Sequence, residues 1–87
     1  MGEKRWLYDV LMKKNLTSKD KLTATYLLFV AEEKGTKICN NSIVWEISRK
    51  SKLAERTVQK SIARLSYVGL INFITKNRFV LGGIDER

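Results

Sequence analysis

The chain has 87 residues, of which 44% are apolar and 30% charged, a composition typical of one small globular domain. It contains one cysteine, Cys39, and no histidine, which excludes a disulfide framework and the common zinc sites. The 17 Lys and Arg residues outnumber the 9 Asp and Glu residues and give a formal net charge of +8. A charge of this sign and size attracts phosphate polyanions or acidic protein surfaces.

The apolar residues are too dispersed for a membrane span. Their longest cluster, residues 26–31, is far shorter than the roughly 20 residues that cross a bilayer. The first residues lack the apolar core of a signal peptide, and Trp6 stands where a myristoylation signal has Ser or Thr. We therefore expect a cytoplasmic protein that has no membrane partner.

Residues 1–16 are predicted to form an amphipathic N-terminal helix. Trp6, Leu7, Val10 and Leu11 recur in it at helical spacing between charged residues. The pattern leaves three roles open for this stripe, which either covers the core of the domain, dimerises the protein or docks on a partner. For the last two roles the candidate interface residues are Trp6, Val10 and Leu11.

A second helix is predicted over residues 19–34. Thr17 or Ser18 can cap its beginning, and Gly35 can supply the left-handed residue that ends it. We expect Asp20 to be solvated. The residues expected to face the core are Leu22, Tyr26, Phe29 and Val30. The partly β-branched residues 36–39 then predict a brief strand.

Two shorter helices follow, joined by a tight connection at residues 50–53. The third helix is predicted over residues 42–50 and the fourth over residues 54–67. The residues expected to face inward are Ile43, Val44 and Ile47 from the third helix and Val58, Ile62 and Leu65 from the fourth.

The last part of the chain predicts a β-hairpin. Residues 70–75 and 78–81 are strand-like, and Lys76 and Asn77 lie at the expected turn. The predicted fold is mainly α-helical with a small β-hairpin, an α+β class, and residues 17–82 form its domain. Residues 83–87 are predicted to be a flexible tail.

Positive charge is concentrated around the fourth helix. Between residues 49 and 64, six basic side chains accompany one acidic side chain, Glu55. Arg56, Lys60 and Arg64 follow one another at a spacing of four, which predicts one basic helix face whose mutual repulsion a polyanion would relieve. The candidate nucleic-acid-binding residues are Lys50, Lys52, Arg56, Thr57, Gln59, Lys60, Arg64, Lys76, Asn77 and Arg78.

Residues 46–48, 53–58 and 62–71 resemble the winged helix-turn-helix superfamily. The resemblance is greatest to small modules of bacterial transcription regulators and of phage or plasmid replication proteins, and it covers roughly residues 19–81. It implies that Thr57 and its neighbours begin a recognition helix for the major groove and that residues 69–71 lead into a hairpin wing. The chain departs from the family pattern at Ala54, where a capping Ser or Thr is usual, at Lys52, where Gly is common, and in its short wing.

The aromatic residues divide into two groups. Phe29, Phe73 and Phe79 fall on apolar faces and are predicted to be core residues. Trp45 lies on the side of its helix away from Ile43 and Ile47, where an exposed indole can stack on a base or anchor a partner protein. The alternative is that Trp45 packs against the N-terminal helix through Trp6 or Leu7.

These patterns predict a protein that binds nucleic acid and is not an enzyme. Nine scattered carboxylates, no histidine and no Gly-rich phosphate loop provide no positioned base or nucleophile, and no cofactor or small-molecule substrate is implied. The favoured partner is duplex DNA, in transcription regulation or in replication of a bacterial or mobile element. The alternatives are single-stranded DNA, a homodimer contact, and a module that docks on a replication protein.

Overall fold

The computed structural model describes residues 2–36 and 38–82, which form four helices and one three-stranded sheet. Their order is α1 (Gly2–Met12), α2 (Ser18–Lys34), β1 (Ile38–Asn40), α3 (Ser42–Ser51), α4 (Glu55–Tyr67), β2 (Ile71–Thr75) and β3 (Arg78–Leu81). The sheet is antiparallel with the strand order β1-β3-β2. The predicted α+β class is thus confirmed, and the brief strand joins the hairpin to make a third strand. The predicted tail, residues 83–87, lies outside the described residues.

Helix α2 has matched residues at both of its ends. Thr17 precedes the helix in an extended conformation, and its hydroxyl accepts a hydrogen bond from the Asp20 backbone N–H at 3.1 Å. The Asp20 carboxylate in turn accepts from the Thr17 N–H at 3.1 Å, which completes a capping box. At the other end Gly35 adopts a left-handed conformation with φ 68°, as predicted.

The buried face of α2 is not the predicted one. Val30 is buried and Tyr26 is partly buried against the core, but Leu22 and Phe29 are 41% and 51% exposed. The side chains that α2 buries are Asp20, Thr23, Ala24, Leu27, Leu28, Val30 and Ala31. The helix carries apolar residues on two sides, and the side with Ala24, Leu27, Leu28 and Ala31 is the one that packs into the core.

Helix α1 packs into the same core as the other helices. Trp6 is 2% exposed and its Nε1 donates a hydrogen bond to the Leu70 carbonyl oxygen at 2.8 Å. Val10 is fully buried, whereas Leu11 is 51% exposed. The stripe therefore covers the core of the domain, and the prediction of a partner interface is wrong for Trp6 and Val10, because both are enclosed within the chain.

The α3–α4 connection is a tight turn that begins at a left-handed lysine. Lys52 has φ 65°, and its backbone N–H donates to the Ser48 carbonyl oxygen at 2.9 Å. The Ser48 hydroxyl donates to the Leu53 carbonyl oxygen at 2.6 Å, which holds the turn against α3. Ala54 precedes α4 with no side-chain cap. The inward positions predicted for α3 and α4 are all buried.

The sheet covers one end of the core with β3 as its central strand. Cys39 of β1 and Phe73 of β2 both lie opposite Phe79, which is 1% exposed as predicted. Phe73 is 45% exposed, so its prediction as a core residue is wrong, as it is for Phe29. Phe73 belongs to an edge strand, where its ring contacts the Phe79 ring at a centroid distance of 5.3 Å and its other side stays open.

Candidate nucleic-acid interface

Helix α4 has one buried and one open face. Val58 and Leu65 are fully buried and Ile62 is 5% exposed, so the packing of this helix against the core is as predicted. On the opposite side Arg56, Gln59 and Lys60 are exposed. Since the core holds the buried face, these three side chains are presented to solvent on a fixed helix.

Arg64 does not belong to this open face. An α-helix turns by about 100° per residue, so each step of four residues rotates by about 40° and Arg64 lies about 80° around the axis from Arg56. Its Nη1 lies 3.2 Å from an Asp20 carboxylate oxygen, with which it forms an ion pair. The prediction of one continuous basic face is therefore wrong at Arg64, whose guanidinium is turned toward α2.

The partner of Arg64, Asp20, is a buried carboxylate and not a solvated one as predicted. Asp20 is 2% exposed and also accepts a hydrogen bond from the Ser61 hydroxyl at 2.7 Å. Its cap of α2 and its bonds to α4 join the two helices through one side chain. The Thr17-x-x-Asp20 spacing of the capping box was available in the sequence, whereas the contacts with Ser61 and Arg64 depend on tertiary packing.

An open groove of about 460 Å³ lies between the beginning of α2 and α4. The residues that line it are Thr17, Ser18, Lys19, Asp20, Thr57, Lys60, Ser61 and Arg64. Thr57 is half-buried here, while Lys19 and Lys60 are exposed. The structure thus brings Lys19, a residue that was not among the candidates, next to the basic side of α4.

The remaining basic candidates lie at two other places. Lys50 and Lys52 are exposed at the end of α3 and in the turn before α4. Lys76 and Arg78 are exposed on either side of Asn77 at the hairpin turn. Asn77 accepts from the Asn41 backbone N–H through its carbonyl oxygen and from Asn41 Nδ2 through its side-chain oxygen, both at 3.0 Å. The turn is therefore tied to the beginning of α3.

Trp45 stands apart from the core on the outer side of α3. It is 55% exposed, and the Arg49 guanidinium lies 4.7 Å from the centroid of its ring. This distance is typical of a cation–π contact. The alternative in which Trp45 packs against Trp6 or Leu7 of α1 is wrong, because the ring is open to solvent and pairs with Arg49.

The described residues show no arrangement for metal chemistry or for nucleophilic attack by the cysteine. In residues 2–36 and 38–82 no three Cys, Asp or Glu side chains come together as metal ligands. Cys39 is 4% exposed, and burial raises the pKa of its thiol to about 11, although the charge of Lys34 acts in the opposite direction. The thiol is thus protonated at neutral pH and packs as a small apolar side chain, as predicted.

Comparisons with known proteins give no significant match for the chain. No family model matches it, and neither a curated protein nor a solved structure is significantly similar to it.

Within residues 2–36 and 38–82, none of the helices combines the length and the apolar character that crossing a membrane requires.

Proposed function

We propose that the protein is a non-enzymatic, cytoplasmic DNA-binding protein of the winged helix-turn-helix type that engages duplex DNA through α4 and the β2–β3 hairpin. The succession of two short helices, α3 and α4, joined by a tight turn and followed directly by the hairpin supports this assignment, because a helix-turn-helix with a wing has that arrangement. Such a protein acts in transcription regulation or in replication of a bacterial or mobile element.

The observation that carries the proposal is the open face of α4. Arg56, Gln59 and Lys60 project from a helix whose other side is locked into the core. A helix fits the major groove of B-DNA, where Gln reads base edges and Arg and Lys neutralise phosphates. With a net charge of +8, the chain contributes the sequence-independent attraction that such docking needs.

The hairpin turn supplies a second contact with the backbone of the DNA. Lys76 and Arg78 are exposed on either side of Asn77, and Asn77 is bonded to Asn41 at the beginning of α3. This tie fixes the turn from which the two basic side chains project relative to α3. We assign them to phosphate contacts that orient α4, since contacts of this kind position a protein without reading sequence.

The proposal is tested by anisotropy titrations of labelled duplex and single-stranded DNA of mixed sequence, side by side at two salt concentrations. We expect tighter binding of the duplex, with an affinity that falls steeply as salt rises because cations are released from the phosphates. Equal or weaker binding of the duplex at both salt concentrations would contradict docking in the major groove.

Single substitutions locate the interface. Arg56→Ala and Lys60→Ala should each weaken duplex binding. Each should also reduce the slope of log affinity against log salt concentration by about one, the value of one phosphate contact. Lys14→Ala is the matched control, because Lys14 is an exposed cation in the α1–α2 connection. If the control weakens binding as much as the α4 variants, the attraction is general and α4 is not the contact surface.

The contact between Trp45 and Arg49 supports a second candidate, a protein that binds single-stranded DNA. A half-exposed indole held by a guanidinium at 4.7 Å is a platform on which a base can stack. In that case single-stranded DNA should quench the fluorescence of Trp45 and Trp45→Ala should weaken binding by about 1 to 3 kcal/mol. Trp6 is enclosed in the core, so its emission provides an internal reference.

A further inference from the structure

The outward side of α2 carries a regular series of residues, most of them exposed and one, Tyr26, partly buried against the core. Lys19, Leu22, Tyr26, Phe29 and Glu33 follow one another at spacings of three, four, three and four residues. We call these five residues the outer seam. Their spacing is that of the a and d positions of a heptad, which places them along one side of a helix in a pattern suited to pairing with another helix.

The outer seam is open in the structure. Leu22 is 41% exposed and Phe29 51% exposed, while Tyr26 is half-buried. Lys19 and Glu33 are exposed at the two ends. The buried side of α2 faces the core, where α2 contacts α1, α3 and α4. Lys19, at one end of the seam, also lines the groove beside Lys60 of α4.

The charges of the outer seam fit a second copy of the same seam running in the opposite direction. Lys19 and Glu33 each lie seven residues from Tyr26. An antiparallel arrangement about a two-fold axis at Tyr26 therefore places Lys19 of each copy opposite Glu33 of the other. In the same arrangement Leu22 of one copy lies nearly opposite Phe29 of the other. The two residues are offset by one position, or about 1.5 Å along the helix axis. A parallel arrangement places Lys19 against Lys19 and Glu33 against Glu33, which repel.

We propose that the protein forms a two-fold symmetric dimer in which the outer seams of two copies of α2 pair in antiparallel orientation. The apolar residues in the middle supply the buried contact, and the two Lys19–Glu33 pairs set its direction. A contact of this type is isologous, because each copy presents the same surface to the other. This inference goes beyond DNA binding and is tested without DNA.

The test is sedimentation equilibrium of the full chain and of charge variants of the outer seam. For the wild-type protein we expect a dimeric fraction that increases with protein concentration. Lys19→Glu places Glu opposite Glu at both contacts, and Glu33→Lys places Lys opposite Lys. Each change should raise the dissociation constant of the dimer about tenfold, since two attractive pairs become repulsive. Lys14→Glu and Glu32→Lys are controls with the same changes of charge at exposed positions outside the seam.

Mixing the two seam variants gives the decisive result. In a heterodimer of Lys19→Glu with Glu33→Lys, Glu faces Lys at both contacts, so the mixture should associate although each variant alone is largely monomeric. The double variant with both changes should dimerise as the wild type does. Circular dichroism of each variant checks that α2 is retained. We expect it to be, because Glu near the beginning of a helix and Lys near its end interact favourably with the helix dipole.

Two outcomes would overturn the proposal. One is a wild-type protein that stays monomeric up to about 1 mM, a concentration at which even weak specific dimers form. The other is a mixture of the two seam variants that associates no better than either variant alone. The DNA titrations are independent of both outcomes, so failure of the dimer leaves the proposed function to be judged by its own experiment.

Discussion

The ends of α2 and the junction between α3 and α4 share two backbone conformations, an extended residue before a helix and a left-handed residue after one. The residues at these positions are favourable for α2 and unfavourable at the junction. Before α2 an extended Thr17 caps the helix through its side chain, whereas before α4 an extended Ala54 makes no such bond. After α2 the left-handed residue is Gly35 with φ 68°, and after α3 it is Lys52 with φ 65°. Helix α2 is thus optimised for stability at both ends, and the junction is not.

The molecule thus tolerates strain at the α3–α4 junction and not at the ends of α2. A lysine in the left-handed region costs about 1 to 2 kcal/mol relative to right-handed geometry, and an absent N-cap costs about 1 kcal/mol. Both losses fall at the turn that precedes the proposed DNA-contacting helix, where Lys52 adds a positive charge. Local rules are often broken at functional sites and satisfied elsewhere, and the contrast between α2 and the junction fits that pattern.

Among these positions, Asp20 is expected to contribute most to stability. Asp20→Ala removes the capping box and leaves Ser61 and Arg64 without their acceptor, so we expect a loss of about 3 kcal/mol in the free energy of unfolding. Urea denaturation followed by circular dichroism measures it. Asp9→Ala, at an exposed position on α1, is the control and should change stability by less than about 0.5 kcal/mol. Equal stability of the two variants would show that the Asp20 network is not stabilising.

Arg64→Ala should have a smaller effect of about 1 to 2 kcal/mol. The Asp20 carboxylate keeps its bonds from the Thr17 N–H and the Ser61 hydroxyl, and the Arg64 side chain is 41% exposed, which weakens the ion pair through screening. Arg56→Ala is the matched control, since it removes the same side chain from the open face and should leave stability nearly unchanged. The reverse order of the two variants in a denaturation experiment would refute the division of α4 into a structural and an open face.

The left-handed positions give an effect of about 1 kcal/mol in opposite directions. Lys52→Gly should raise the free energy of unfolding by about 1 kcal/mol, because Gly adopts positive φ without strain. Gly35→Ala should lower it by a similar amount, since a Cβ at Gly35 meets no atom within 4 Å and φ alone is responsible. Thermal denaturation of both variants measures the pair. A Lys52→Gly variant that is less stable would mean that the lysine side chain stabilises the turn by more than its φ costs.

The smallest expected effect is at the uncapped beginning of α4. Ala54→Ser supplies an N-cap in a backbone conformation that already suits one, and should raise stability by about 0.5 to 1 kcal/mol. Thr17→Ala makes the opposite change at α2 and should lower stability by at least as much. If Ala54→Ser has no effect while Thr17→Ala is destabilising, the turn before α4 lacks the geometry that a cap needs.

The sequence predicts well those elements whose apolar residues have one possible orientation. Helix α4 has a single apolar stripe, so Val58, Ile62 and Leu65 are buried as expected, and the hairpin turn lies at Lys76 and Asn77. Helix α2 has apolar residues on two sides, and periodicity favoured the wrong one. The choice depends on how α2 packs against its neighbouring helices, which is a tertiary property.

The sequence predicts the exposure of the basic side chains of α4 only in part, for a related reason. Arg56 and Lys60 are exposed as their spacing suggests, but Arg64 is drawn out of the series by Asp20, 44 residues earlier in the chain. The Ser61 hydroxyl meets the same carboxylate across 41 residues. The pattern within one helix carries no information about a partner so far away in the sequence. The spacing of four residues therefore predicts where the charges lie on α4 but not that Arg64 pairs with Asp20.

The hydrogen bond between Trp6 and Leu70 has a consequence for synthesis of the protein on the ribosome. The two residues are 64 positions apart, and a chain grows at roughly 5 to 20 residues per second. Roughly 3 to 13 s therefore pass after Trp6 is incorporated before its acceptor carbonyl exists. During that interval the indole has no native partner at Leu70, and α1 can reach its final position only late in translation.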